Sequence, residues 1–250
     1  MTATSFVSFM RSLETRYQKK SGLLNRAHYK IFYGPVRPAP ILVLGINPGG
    51  DPTNTEADGA KQKTGEVAAA SSGFYEGGEH DVLDCDWKEN KGLKKLLVPL
   101  LNNDEEAIRL SVVKTNVAFR RSPKAKDIDI VAAKVEAAPF LAEIMAVVQP
   151  RLIVLTSIDL PAFLNSFCVN VGDLTEQVRD EKVKQVVFES AIAQLKNCES
   201  SSLIVRVAHA SQFSWTYNKY DVVGLINDAF DAQQDGGKPK HRRTYHSKTA

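Results

Sequence analysis

Four apolar runs punctuate this chain, and three of them end at a polar residue suited to binding. Ile41-Leu42-Val43-Leu44 stops at Gly45-Ile46-Asn47-Pro48-Gly49-Gly50. Leu110 to Val113 runs into Lys114-Thr115-Asn116, and Leu203-Ile204-Val205-Arg206-Val207-Ala208 ends at His209. The fourth run is Leu152-Ile153-Val154-Leu155. Short runs with little polar alternation suit strands covered on both faces. Helical spacing occupies the intervals. Phe6, Phe9, Met10, Leu13 and Tyr17 follow a Thr4 or Ser5 cap, and Leu93, Leu96, Leu97, Leu100 and Leu101 mark a helix over Gly92–Leu101. Asp127 is placed to cap a helix with Ile130, Ala133, Ala137, Leu141, Ile144 and Val148 inward, ended by Pro150. Further helices are predicted near Pro161–Phe167, over roughly Asp180–Lys196, and through Tyr220, Val223, Ile226 and Phe230.

Strands alternating with helices predict an α/β fold, a three-layer α/β/α sandwich around a short, mainly parallel sheet. Parallel strands with right-handed crossovers put all strand C-termini on one rim, where such folds bind ligands. Asn47, Asn116 and His209 are therefore expected on that rim. Gly45, Pro48, Gly49 and Gly50 enforce a sharp turn that brings backbone N–H groups close to a ligand. One domain is expected over residues 1–232. The polar stretch from Gly49 to about Asn90 is read as a functional lid or a disordered loop. Residues 233–250, with Lys238, Lys240, Arg242, Arg243 and Lys248, are read as a basic, disordered tail.

Composition narrows the class without choosing a function. With 250 residues, 43% hydrophobic and 24% charged, the chain is typical of soluble globular proteins. A net charge of +3 hints only weakly at an anionic partner. Cys85, Cys168 and Cys198 are scattered, with no CxxC, which argues for a reduced intracellular setting and against a zinc site or disulfide framework. Met1 to Ser5 lacks the start of a signal peptide, and no apolar run approaches a membrane span. A cytoplasmic protein is expected, in the nucleoid or nucleus if it acts there, with no membrane partner and no cofactor.

Each candidate also has a plainer reading. His209 can cap a backbone group, and Asn116 can be a turn residue. Phe74 and Tyr75 can anchor the long loop, and Phe213 and Trp215 can be packing residues. Arg120 and Arg121 can form a solvated face.

In this order along the chain, the motifs carry a resemblance to the uracil-DNA glycosylase superfamily, over roughly Ile41 to Phe230. Gly45-Ile46-Asn47-Pro48-Gly49 resembles the water-activating motif of the mismatch-specific and single-strand-selective branches. Thr115-Asn116-Val117-Ala118-Phe119-Arg120-Arg121-Ser122-Pro123 is similar to the middle motif of the iron–sulfur branch. Pro139 to Leu155 continues that likeness. His209-Ala210-Ser211-Gln212-Phe213 stands where the family has His-Pro-Ser-Pro-Leu. Ala210 and Gln212 replace the two prolines, and Arg120 replaces a cluster cysteine, so no iron–sulfur cluster is expected.

The resemblance implies a monofunctional glycosylase that hydrolyses the N-glycosidic bond of uracil or a related damaged base in DNA, acting as a monomer. Asn47 would position the water, and His209 would stabilise the departing base anion. Asn116 would read the base edge within a pocket that includes Gly45, Ile46 and Pro48. Phe74 or Tyr75 would stack on the flipped base. Ser211, Arg120 and Arg121 would meet phosphates, and Phe213 would fill the vacated stack. The alternative is a superfamily member of weak or no activity that binds a nucleobase, nucleotide or DNA without cleavage.

Overall fold

The structure is a computed structural model and describes residues 3–24, 28–49, 80–175 and 177–234. Helix α1 (Ala3–Ser21) leads to strand β1 (Ile41–Gly45). Helices α2 (Asp81–Asp84), α3 (Lys88–Leu100) and α4 (Ile108–Ser111) precede β2 (Val112–Asn116). Helix α5 (Ile130–Val148), β3 (Leu152–Thr156) and α6 (Leu160–Phe167) follow. Four strands come next, β4 (Cys168–Val169), β5 (Val178–Asp180), β6 (Gln185–Leu195) and β7 (Ser201–Val207). Helices α7 (Ala210–Phe213), α8 (Trp215–Lys219) and α9 (Val222–Gln234) close the described chain.

The central strands β2-β1-β3-β7 are mutually parallel. Beyond β7 the sheet continues antiparallel through β6 to β4, and β5 also pairs with β6. Every residue of β1, β2 and β3 is buried. Alternate side chains enter opposite faces. Leu42, Leu44, Val113, Ile153, Leu155 and Ile204 pack with Met10, Leu13 and Tyr17 of α1, with α5, and with Leu160, Phe163 and Leu164 of α6. Ile41, Val43, Val112, Val154, Val205 and Val207 pack with Leu93, Leu96 and Leu97 of α3 and with Val222, Ile226 and Ala229 of α9. The expected α/β class with helices on both faces is present, and the antiparallel extension is new. Among the described residues no helix is long and apolar enough to cross a membrane.

The helix expected over Asp180–Lys196 is instead the long strand β6 with its partner β5. Its apolar residues satisfy both a 3.6 and a 2 period. The β-branched Val186, Val187 and Ile192 favour the strand. An unbroken register against β7, from Phe188↔Val207 to Gln194↔Ser201, completes the choice. Smaller differences have local causes. Leu110 lies on the short helix α4 and is 68% exposed, so β2 starts only at Val112. Helix α3 begins four residues before Gly92, and α5 is capped by Asp129, whose side chain accepts from the Ala132 N–H at 3.0 Å. Asp127 closes the preceding 3₁₀ turn through Lys124 N–H, and Tyr220 precedes α9. Helix α9 runs to Gln234, just past the boundary expected for the domain, and the rest of the basic tail lies outside the described residues.

Candidate functional site

The loop after β1 is stitched to the loop after β2. Val117 N–H donates to the Gly45 carbonyl at 2.9 Å, Ala118 to Ile46 at 3.0 Å, and Ser122 to Pro48 at 3.2 Å. These bonds continue the parallel ladder past the strand ends and fix both loops. Asn47 sits half-buried inside this clamp. Its Nδ2 donates to Ser122 Oγ at 2.9 Å and to the Pro48 carbonyl at 3.0 Å. The amide is thereby oriented, with its carbonyl oxygen at the opposite end. Gly45 and Pro48 are buried, and Ile46 packs half-buried against the core below.

Asn116 ends β2 opposite Gly45 and is only 3% exposed. Its Nδ2 donates to Tyr33 Oη at 2.5 Å. Its Oδ1 lies where a Cβ on residue 45 would project, so only glycine fits there. One N–H of the amide and part of the carbonyl's capacity remain for a ligand. Glu89, in the first turn of α3, comes to the same place, with Oε1 3.7 Å from the position of that Cβ and 3.8 Å from Lys114 Nζ.

Beneath these groups lies a buried ionic cluster. Lys30 Nζ donates to Asp81 Oδ1 at 2.7 Å, and both side chains are essentially inaccessible. Lys114, on the same face of β2 as Asn116, donates to Asn90 Oδ1 at 2.9 Å and stands 3.6 Å from Asp81 Oδ2. Asn90 Nδ2 donates to the Asp81 carbonyl at 2.8 Å and to its Oδ2 at 3.1 Å. The Tyr33 ring carries both ammonium groups, Lys30 at 4.1 Å and Lys114 at 4.6 Å from its centroid. Burial pushes the Asp81 carboxyl up, but Lys30 and Lys114 outweigh it and hold the group well below its usual range. Burial pulls Lys30 down against the pull of Asp81, and it raises the Tyr33 hydroxyl far above its ordinary value. His80 Nε2 bonds the Val112 carbonyl at 3.0 Å, and burial pulls this imidazole down to about 4.

His209 stands two residues beyond the end of β7, on the same rim as Asn47 and Asn116. Two strand spacings, about 10 Å, separate the ends of β1 and β7. His209 is the N-cap of α7, with Nδ1 accepting from Ser211 N–H at 3.2 Å and lying 2.9 Å from Ser211 Oγ. The plainer capping reading therefore holds, and it has a chemical consequence. An Nδ1 that accepts from the backbone leaves a neutral ring's proton on Nε2, which becomes a donor. The Ser211 hydroxyl, expected at a phosphate, rests on this ring. Gly92 allows α3 to press against the Ala210 backbone, where a Cβ would collide with the carbonyl. Glu89, one turn earlier on α3, is thereby carried toward the His209 loop.

The remaining expectations divide. Phe213 is half-buried on α7, whereas Trp215 beside it is 43% exposed with Lys219 Nζ 5.5 Å from its ring. Arg120 binds Glu136 at 2.6 Å, and Glu136 also accepts from Tyr17, so this arginine ties β2's loop to α5 and α1. Arg121, expected at a phosphate, is 4% exposed, which rules out the plainer reading as a solvated face. Phe74 and Tyr75 lie outside the described residues.

Sequence reading missed Tyr33, Lys30, Asp81, Glu89 and Asn90. Lys114 offered a signal, a charge two residues before Asn116 in a buried strand. No known protein-family model matches this chain, and no curated protein matches it.

Proposed function

We propose that this protein is a monofunctional DNA glycosylase that hydrolyses the N-glycosidic bond of uracil or a related damaged base. What supports the reading is the convergence of Asn47, Asn116 and His209 on one rim, with the His209 tautomer set by its own cap. Cleavage leaves positive charge on the sugar and negative charge on the base. The His209 Nε2–H donates to the base oxygen as that charge develops. A preorganised donor of this kind contributes about 3–4 kcal/mol. The base edge meets the Asn116 amide, which Tyr33 holds in place.

Asn47 holds the attacking water through its carbonyl oxygen, since its NH₂ is already engaged. An amide positions water but is a poor base. Glu89 at the end of β1 supplies a carboxylate to take the proton. Lys114 Nζ lies 3.8 Å from that carboxylate. The target base leaves the duplex first, at a cost of a few kcal/mol.

The test is incubation with labelled oligonucleotides carrying uracil, hypoxanthine, xanthine or a thymine mismatch. Abasic sites after alkali treatment support the reading, and their absence from every substrate removes it. Binding without cleavage is the second reading. It is favoured by the burial of Asn116 and by Tyr33's hold on its amide. Retention of an oligonucleotide with no abasic product selects it.

A further inference from the structure

Trp215 is an exposed ring on a braced surface. It is 43% exposed. A single exposed apolar residue is ordinary, but this one is held in place. Lys219, one turn further along α8, has its Nζ 5.5 Å from the centre of the Trp215 ring and 4.8 Å from that of Tyr220. The same ammonium donates to Asp180 Oδ2 at 2.7 Å, and Tyr220 Oη donates to that oxygen at 2.8 Å. Asp180 Oδ1 accepts from the Lys182 and Val183 N–H groups at 2.9 and 3.0 Å. One buried carboxylate therefore ties the β5–β6 turn to α8.

That turn stands beyond the rim. Strand β6 runs antiparallel to β7, and its Phe188 pairs with Val207, the last residue of β7. Residues 185–187 therefore continue about 10 Å past the strand end after which His209 follows. Hairpin residues 178–185 expose three cations, Arg179, Lys182 and Lys184, and one carboxylate, Glu181. Lys184 meets Glu181 at 3.4 Å in an exposed pair, which contributes little. Arg179 donates to Gln177 Oε1 at 2.6 Å, which leaves its charge unneutralised. Asp180 is committed to Lys219, and Asp221 turns back to accept from Gly224 N–H at 3.2 Å. The result is an open indole beside a net positive hairpin.

We infer that α8 and the β5–β6 turn form a second contact surface, outside the base pocket, for an unpaired nucleic-acid strand. One base stacks on Trp215, and the phosphates beside it face Arg179, Lys182 and Lys184. The kind of polymer rests on the glycosylase reading, and the surface rests on its own geometry. Stacking on an aromatic face accepts any base, and basic side chains that follow the backbone complete such a platform. The antiparallel extension that carries the hairpin lies apart from the motifs that define the pocket.

The experiment uses the full chain and an unmodified single-stranded oligothymidylate, which offers neither uracil nor a mismatch. The strand quenches the indole fluorescence of wild type in a saturable way, and most of that quenching is lost in Trp215→Phe. Trp215→Ala binds the strand about tenfold more weakly. Lys182→Gln combined with Lys184→Gln lowers the slope of log K against log salt by about 1.4. A strand of abasic spacers of equal length binds wild type more weakly than oligothymidylate does. No binding by wild type, unchanged affinity in Trp215→Ala, equal affinity for the base-free strand, or an unchanged salt slope in the lysine variant overturns the inference. A loss in Trp215→Ala confined to duplex DNA also overturns it, and makes the ring a wedge instead.

Should Trp215→Ala fail to fold, the quenching of wild type against Trp215→Phe decides, and equal quenching in the two overturns the inference. Base excision is assayed in parallel. Strand binding through Trp215 without excision removes the glycosylase reading and keeps this surface, whereas excision without such binding does the reverse.

Discussion

Asn116 and Gly45 stand opposite each other in the register of β1 and β2, and the Asn116 side-chain oxygen fills the space a Cβ on residue 45 would need. Gly45→Ala therefore pushes the amide off Tyr33, while Glu89 Oε1, 3.7 Å from the new methyl, meets it only at ordinary contact distance. The clash costs about 1–3 kcal/mol of stability. Excision or base binding falls at least tenfold, while the protein still melts cooperatively. Full retention of binding by Gly45→Ala would mean that Asn116 does not read the ligand.

Asn47→Ala and His209→Ala each reduce excision by about a hundredfold or more, the range for losing a positioned nucleophile or a preorganised donor. Neither side chain belongs to the packed core, so Tm changes little. Glu89→Gln keeps the size of the side chain and removes the base, so kcat falls while KM holds. Ser211→Ala releases the His209 ring from one of its two contacts and gives a smaller loss. Single-turnover excision rates on one uracil-containing oligonucleotide check all four, and wild-type rates in Asn47→Ala and His209→Ala would refute the mechanism.

Phe213→Ala should weaken excision from duplex DNA more than from single strands, because only the duplex has a stack to fill. The ring is half-buried, and Trp215 beside it is the more exposed aromatic. Matched excision rates on the two substrates separate them. If Phe213→Ala loses equally on both while Trp215→Ala is duplex-selective, the wedge belongs to Trp215.

Lys30→Met leaves Asp81 buried with Lys114 as its cation, and Asp81→Asn leaves two ammonium groups facing a neutral amide. Removing one partner from a buried pair costs about 3–5 kcal/mol. Denaturant titration of each variant checks this. A shift under 1 kcal/mol, on the order of an exposed pair, would mean that the cluster is hydrated in solution.

Acid sensitivity should begin well above the carboxylate range. His80 titrates near 6.5 when unfolded and is pulled down to about 4 in the folded chain by burial. Between those values the unfolded state binds the extra proton, so stability falls as pH drops from 6.5 toward 4, by about 3 kcal/mol in all. Asp81, whose folded value is depressed, adds its loss only below its own unfolded value, near 3.8. His80→Gln keeps a donor for the Val112 carbonyl and should flatten the upper window. Unfolding free energies at half-unit pH steps test this, and an unchanged slope in His80→Gln would assign the effect elsewhere.

Strands β1, β3 and β7, helices α1, α5 and α6, and the shared rim of Asn47, Asn116 and His209 were determined by the sequence by itself. Each depends on local information, an apolar run that stops at a polar residue or a helical stripe with caps. Residues 185–195 were not settled this way, because their apolar positions fit two periods, and pairing with β7 completed a choice that their β-branched residues only favour. Most of the ionic floor of the site was also invisible. Lys30, Asp81, Glu89 and Lys114 come from four separate segments, and apart from Lys114, which stands in a buried strand, each alone reads as a solvated charge. Docking of the segment around Tyr33 and of helix α3 against the end of β2 removes Lys30, Asp81 and Lys114 from water together and leaves Glu89 half-buried. Arg121 is buried for the same reason: its backbone is pinned between His28 and the Asn47 loop.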